Sequence, residues 1–401
     1  MSTSKAKALP AANLGLVQFT DEKDDIDPAD SAMQIKLSSS DPDRAIIKLA
    51  RPEALPDGHN VCMDMGRRFI KIAYWKNPST IVIDKMPTEL ADVPAEKNLG
   101  VAKSKFLARN QKKVAAKNRV SITYLDKTYT AALRAQKLGG KRGLGEKKTK
   151  DLLPRVLCAL TLHEIKEGKV NLILTIPFEG ASDWATQEAM AAELVDGQRV
   201  WTSDLGLHDV TIRCAVVPES FYAEKFPRLS GSESPDWEEI DHHVFDFGYQ
   251  TFLKSTFVFD PIMERSSFDP DLSACYDGKG LSLYYEYVAV ACGYGKENSE
   301  DPAFIEAVNR EDENFVCSKG TLVLTPAIAI ASTRYLNEIV ALANPSPGIV
   351  HFQIVGGGAY KFGQEFCNHF EYAETFVTDL PDLANIIGQA ISLPTEELFN
   401  D

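Results

Sequence analysis

Residues 61–75, VCMDMGRRFIKIAYW, place Asp64, Gly66 and Lys71 on an apolar strand, a tight turn and the following strand. Those residue types suit phosphate. A carboxylate acts through Mg²⁺, a glycine lets backbone N–H groups approach phosphate oxygens, and a lysine ammonium supplies a point charge. The same pattern also fits an ordinary hairpin with glycine in its turn, so partners elsewhere in the chain decide between the two readings. Four later stretches offer them. HVFDFGYQTFLKSTF repeats the strand, Asp-x-Gly and return strand with Asp246 and Gly248. AVVPESFYA sets Glu219 just past a strand end, at the start of a helix, where a carboxylate can orient a water. QIVGGGAYKF puts Gly356, Gly357 and Gly358 after an apolar strand, allowing backbone to lie flat against a base, sugar or phosphate. LPDLANIIG brings Ala384 and Gly388 onto one helix face, open to close crossing by another helix. Singly, each has a plainer reading as a turn, a dipole-favoured helix-start residue or a flexible loop.

The elements needed to position these residues alternate between strand and helix. FIKIAYW and STIVIDKMP read as strands about a turn at 76–78, and SITYLDKTYTAAL continues the β pattern. LLPRVLCALTLHEI has helical spacing with Gly168 as its stop. VNLILTIPF reads as a strand buried on both faces, and SDWATQEAMAAELV as a helix capped by Ser182. HDVTIRCAVVP is a strand leading into a helix, and HVFDFGY pairs with TFLKSTFVFD. A helix-rich region follows over about 281–316, then the helix PAIAIASTRYLNEIVALAN, the strand and glycine turn of HFQIVGGGAYKF, and a short helix in LPDLANIIGQAISL. The expected class is α/β with mixed sheets.

The bounds from composition are compatible with this. A 401-residue chain, 44% hydrophobic and 25% charged, suggests two globular domains. No apolar run reaches the roughly 18 to 20 residues of a membrane helix, and the N-terminus lacks the apolar core of a signal peptide, so a soluble cytoplasmic protein is expected. The seven scattered cysteines contain no C-x-x-C pair and read as reduced core thiols. His242-His243 reads as a strand entry rather than a metal site. A net charge of -14 opposes general nucleic-acid binding, although residues 97–155 are locally basic and could meet an acidic surface. Residues 1–56 read as a partly disordered arm in which QIKLSS and AIIKLA form short strands. The polar segment 229–241 marks a domain boundary.

Taken in order, the motifs resemble the actin, sugar kinase and chaperone ATPase superfamily, most closely the bacterial ParM/StbA plasmid-segregation actins. The resemblance spans about residues 58–401. The first phosphate loop Asp-x-Gly-x(4)-Lys is matched by Asp64, Gly66 and Lys71, and the first connecting pattern by Pro218, Glu219 and Ser220. Asp246 and Gly248 match the second phosphate loop, Val355, Gly356, Gly357, Gly358 and Ala359 the adenosine motif, and Ala384, Asn385 and Gly388 the second connecting segment. Two places depart from the pattern. Arg67 and Arg68 follow Gly66 where a small or hydroxylic residue is usual, and Tyr249 and Gln250 follow Gly248 where glycine and threonine are common. Bulk there would crowd a terminal phosphate, while the guanidinium of Arg67 suits phosphate geometry.

The resemblance implies two ribonuclease-H-like domains around a nucleotide cleft: domain I over 57–240, completed by 379–401, and domain II over 241–378. It implies ATP or ADP as ligand, with Asp64 and Asp246 holding Mg²⁺ through water and Lys71 neutralising phosphate charge. Glu219 and Asp246 would be catalytic, and Asp64, Gly66, Arg67, Lys71, Gly248, Tyr249, Gln250, Gly356, Gly357, Gly358 and Ala359 would contact nucleotide. It further implies an ATPase that self-associates into cytoskeletal filaments for plasmid segregation or positioning, with an adaptor bound to DNA as partner. The alternatives are a non-polymerising ATPase switch, a sugar-kinase-like enzyme and a pseudo-ATPase scaffold.

Overall fold

The computed structural model describes residues 33–38, 41, 43–49, 52–92, 120–140, 151–178, 181–225, 239–395 and 399. Residues 1–32, most of the basic stretch and most of the polar segment 229–241 lie outside them, as do the expectations attached to those residues. The first half of the chain forms strands β1 (Met33–Leu37), β2 (Arg44–Leu49), β3 (His59–Met65), β4 (Phe69–Asn77), β5 (Thr80–Pro87), β6 (Leu90–Asp92), β7 (Val120–Tyr124) and β8 (Lys127–Ala131). Helices α1 (Ala132–Lys137) and α2 (Leu152–Leu162), strand β9 (Glu167–Ile176), helix α3 (Ala181–Val195) and strands β10 (Gly197–Ser203) and β11 (Gly206–Pro218) follow. The strands make one 11-stranded sheet in the order β1-β2-β5-β4-β3-β9-β11-β10-β7-β8-β6. Within it β3, β9 and β11 run parallel, while β3, β4 and β5 form an antiparallel meander. Strand β9 is buried along its last seven residues, as its unbroken apolar run requires.

The second half gives β12 (His242–Phe247), β13 (Thr251–Asp260), β14 (Arg265–Asp277), α4 (Leu281–Ala291), α5 (Pro302–Asn309), β15 (Asn314–Cys317) and β16 (Gly320–Val323). Helix α6 (Thr325–Ala343), β17 (His351–Val355), α7 (Ala359–Asn368), β18 (Glu374–Val377) and α8 (Ala384–Ser392) complete it. The second sheet has the order β14-β13-β12-β17-β18, with β12, β17 and β18 parallel. It therefore repeats the meander-then-parallel arrangement of β5-β4-β3-β9-β11. The two Asp-x-Gly turns occupy equivalent hairpins, β3–β4 and β12–β13, one in each repeat.

Several local expectations are corrected. Helix α2 stops at Leu162, and Gly168 instead lies in β9 with φ +100°, so it is not the helix stop. Helix α3 already begins at Ala181, which puts Ser182 inside it rather than at the cap. Residues 219–224 are turns, so Glu219 follows β11 directly without opening a helix. The element crossing Gly388 is that same turn run and not a helix: a Cβ on Gly388 would collide with the Tyr222 carbonyl oxygen. Helix α8 lies against β3 and β4, with Trp75 Nε1 donating to the Ala390 carbonyl at 2.9 Å, and so returns the chain to the first sheet.

Each sheet has an apolar core with its helices, and a third core joins the two halves through Cys62, Ile173, Tyr222, Val244, Val355 and Ile387. Gln353 strengthens that junction by donating to Ala223 O at 2.9 Å and Thr378 Oγ1 at 3.0 Å. At the entry to β12, fully buried His243 accepts from the Ser346 N–H through Nε2 at 3.0 Å, so its proton sits on Nδ1, facing Thr256 Oγ1 at 3.0 Å. Burial, then the Lys254 ammonium and His242, push its pKa down to about 3. As pH falls below about 6.5 the unfolded chain takes this proton before the folded one does, so stability present above 6.5 is lost on acidification. Urea unfolding between pH 7 and 5 should show a loss of about 1 kcal/mol per pH unit below 6, flattened in His243→Gln.

Candidate functional site

The carboxyl ends of the parallel strands in both sheets open onto one cavity of about 670 Å³. Register aligns Asp64 with Thr175 and Thr175 with Val217 in one sheet, and Asp246 with Val355 in the other. Ligands in open α/β sheets gather at such strand ends because the connecting loops diverge there. Of the residues expected from sequence, Asp64, Gly66, Arg67, Lys71, Glu219, Asp246, Gly248, Tyr249, Gln250, Gly356 and Gly357 line the cavity. Gly358 and Ala359 do not: Gly358 is the N-cap residue of α7 and Ala359 is its first residue.

The spacing of the first loop has a simple cause. Asp64 and Lys71 are direct partners across the β3–β4 hairpin, so their side chains share a face, and Lys71 Nζ donates to Asp64 Oδ2 at 2.8 Å. Thr175 Oγ1 donates to the other carboxylate oxygen at 3.2 Å, and Asp64 is only 4% exposed. Burial alone would lower the Lys71 pKa, but the carboxylate of Asp64, followed by Asp382 and Asp246, raises it above its usual range. Lys71 is therefore a cation at any physiological pH.

The second loop is tied to the first sheet through the turn after β11. Ser220, fully buried with φ +67°, donates to Asp246 Oδ2 at 2.8 Å. The adjacent Glu219 is 7% exposed, and its N–H is held by the Ile176 carbonyl at 2.9 Å. Opposite them, Gly356 has φ +87°, and a Cβ there would overlap Asp246 Oδ1 and come within 2.7 Å of the Phe247 backbone. Only glycine fits. The second carboxylate and the glycine turn are thus packed as one unit.

The remaining walls come from residues whose types carry no motif. Lys85, near the end of β5, forms an ion pair with Asp382, and Tyr360 of α7 donates to the same carboxylate at 2.8 Å. Burial would raise the Asp382 pKa, yet Lys85, with Lys71 and the Tyr360 hydroxyl, holds it below the ordinary carboxylate range. At the other end, Tyr285 donates to Asn309 Oδ1 at 2.8 Å and Lys361 to Glu311 Oε1 at 2.6 Å. Arg67 donates through Nη2 to Asp277 Oδ1 at 2.9 Å, linking the first hairpin to the end of β14. Arg68 lies over the rings of Phe69 and Tyr249, 5.5 and 5.8 Å from their centroids. Sequence reading missed Asp43, Phe69, Lys85, Thr251, Leu281, Tyr285, Asn309, Glu311, Tyr360, Lys361 and Asp382 as cavity residues. A signal existed only for some. Tyr360 and Lys361 directly follow the glycine turn, Asp382 sits in the stretch containing Ala384 and Gly388, and Thr251 follows the second Asp-x-Gly turn.

No protein-family model matches the sequence, and no curated protein sequence matches it. Solved structures do. A ParM from a 15-stranded Clostridium botulinum filament superposes with TM-score 0.63 at 15% identity, covering 84% of this chain and 99% of that one. The chain has the actin-like fold. An archaeal actin homolog in complex with ADP matches this actin-like chain with TM-score 0.57 at 14% identity, over 84% of this chain and 100% of that one. Bacillus thuringiensis ParM with AMPPNP matches with TM-score 0.53 at 14% identity, over 86% and 99%. The actin-like architecture accounts for the paired sheets, their repeated strand order and the cavity between them.

The donors available to a metal in this actin-like cavity are oxygens. Among the described residues no group of three or more His, Cys, Asp or Glu side chains is placed to enclose a metal ion. Of the carboxylates lining the cavity, Asp64 and Asp246 open on it from opposite sheets at equivalent hairpins. That set suits a hard cation that keeps most of its water, and it does not suit a protein cage. Among the described residues, no helix is long and apolar enough to cross a membrane.

Proposed function

We propose that this protein binds ATP with Mg²⁺ in the cavity between its sheets, hydrolyses it, and polymerises in the ATP state into cytoskeletal filaments that disassemble after hydrolysis. The observation carrying this is the convergence of Asp64, Glu219, Asp246 and the Gly356–Gly357 turn, from four separate parts of the chain, on one cavity. The reading divides the chain into domain I over 57–240 with 379–401, whose sheet β1 and β2 extend at one edge, and domain II over 241–378. The nucleotide-bound archaeal and Bacillus neighbours and the Clostridium filament support nucleotide binding and self-association respectively.

In this reading Lys71 offsets phosphate charge, and backbone N–H groups of the two Asp-x-Gly turns and of Gly357 approach the phosphate oxygens, the Gly356 N–H being held by the Pro381 carbonyl at 2.8 Å. Asp64 and Asp246 would hold Mg²⁺ through water, and the ion would supply charge neutralisation for the leaving phosphate. Glu219 orients the attacking water and accepts its proton as the terminal phosphoanhydride bond breaks. Filaments in the cytoplasm would segregate plasmid DNA or position cargo through a DNA-bound adaptor protein, with no direct contact between filament and DNA. Negative-stain electron microscopy with Mg-ATP and with ADP tests the assembly. Filaments with ATP that shorten after phosphate release are expected, and protein that stays monomeric at high concentration under both conditions would overturn it.

A further inference from the structure

Five basic side chains line the cavity: Arg67, Arg68, Lys71, Lys85 and Lys361. Four are held by carboxylates, namely Asp277, Asp64, Asp382 and Glu311 respectively for Arg67, Lys71, Lys85 and Lys361. Arg68 differs. Among the described residues no carboxylate pairs with its guanidinium, which lies over the rings of Phe69 beside it and Tyr249 on the opposite loop, at cation–π distance from both. Its backbone is fixed, since the Arg68 carbonyl accepts from the Thr88 N–H at 3.2 Å. The side chain starts from the turn between Asp64 and Lys71 and ends beside the residue following Gly248. It thus spans the gap between the two Asp-x-Gly turns.

A guanidinium on aromatic faces keeps its N–H edge available, because stacking engages the plane and leaves the in-plane donors for an anion. The aromatic rings also restrict its rotamers, so less freedom is lost when it grips a ligand. We infer that Arg68 is the residue through which this cleft distinguishes a nucleoside triphosphate from a diphosphate, its in-plane N–H groups donating to the terminal phosphate between the two turns. The inference rests on the nucleotide-binding reading above and adds to it a specificity residue. Arg67 is directed instead to the end of β14, with one of its outer nitrogens donating to Asp277. Tyr249 then has a purpose in this chain. Its ring holds Arg68 across the cleft, so triphosphate binding engages both turns through one side chain.

The test is calorimetric titration of the full-length protein with AMPPNP and with ADP, each with Mg²⁺, for wild type, Arg68→Ala and Arg68→Lys. Loss of a charge-assisted, two-donor contact is expected to weaken AMPPNP binding by about 10- to 100-fold in Arg68→Ala, with ADP binding changed by less than about threefold. Arg68→Lys restores the charge without the fork and should recover only part of the difference. Thermal melts of the variants establish that they are folded. Equal weakening of both nucleotides in folded Arg68→Ala, or no change in either, would overturn the inference while leaving nucleotide binding intact. Wild-type protein that binds neither AMPPNP nor ADP would remove the underlying functional reading instead.

Discussion

Replacing Glu219 with Gln should slow phosphate release from ATP by about 100- to 10,000-fold, the range a positioned general base contributes. Geometry is what makes this change informative. The Glu219 backbone is anchored by the Ile176 carbonyl at the end of β9, and its neighbour Ser220 is bonded to Asp246 in the other sheet. The carboxylate is therefore positioned by both halves of the molecule at once. Gln preserves shape and one carbonyl acceptor, so a water can still be oriented, but it cannot take the proton. A single-turnover measurement with bound ATP isolates the chemical step, and AMPPNP affinity should stay within about threefold of wild type. Unchanged phosphate release would assign the base elsewhere. A parallel collapse of affinity and stability would make Glu219 a structural residue of the turn.

The same geometry explains why the site could be partly read from sequence. Asp64 and Lys71 are legible because a hairpin converts a fixed spacing into a cross-strand contact, and Gly356 because only glycine tolerates φ +87° against Asp246. Their strands are apolar runs of ordinary length bounded by turns, and the alternation of strands with helices gave the fold class. Lys85 and Asp382 were not legible. Their ion pair exists because β5 ends beside a segment that returns almost three hundred residues later, and no local pattern records that return. Tyr285 and Asn309 lie on α4 and α5, where polar or aromatic positions facing a cavity look like any other helix surface. Strand β14 was also missed. Asp269, Pro270 and Asp271 interrupt its apolar pattern, and its register shifts opposite Lys254 to Thr256, as an edge strand with a bulge allows. Arg67 was legible as a departure from pattern but not in its contact, since Asp277 lies at the far end of that same unrecognised strand.

The N-terminal strands supply the other large effect. Arg44→Ala should destabilise the protein by about 3 kcal/mol, below the upper range for breaking a buried ion pair because the guanidinium is partly exposed. Arg44 on β2 faces Asp84 on β5 directly, and its Nε and Nη2 donate to the two carboxylate oxygens at 3.0 and 2.9 Å. Asp84 has no exposed surface, and His163 Nε2 also stands 3.8 Å from Oδ2. Truncating Arg44 therefore leaves a carboxylate in the core without its bidentate partner. The cost is desolvation that is no longer offset, rather than the worth of the pair itself. Asp84→Asn in the Arg44→Ala background should recover part of the loss, because it removes the stranded charge, and equilibrium urea unfolding of the two singles and the double measures the coupling. A coupling near zero would mean that β2 merely leans on the sheet. A coupling of about 2 kcal/mol or more would establish that residues 33–49 complete it. The cavity provides a second readout. Asp43, one residue before β2, lines it, and the Asp43 carbonyl accepts from the Lys85 N–H at 2.9 Å. Losing the Arg44 anchor frees that wall beside the Lys85–Asp382 pair, so AMPPNP affinity should fall together with stability. A variant that is destabilised yet binds AMPPNP as tightly as wild type would confine the role of the N-terminal strands to folding.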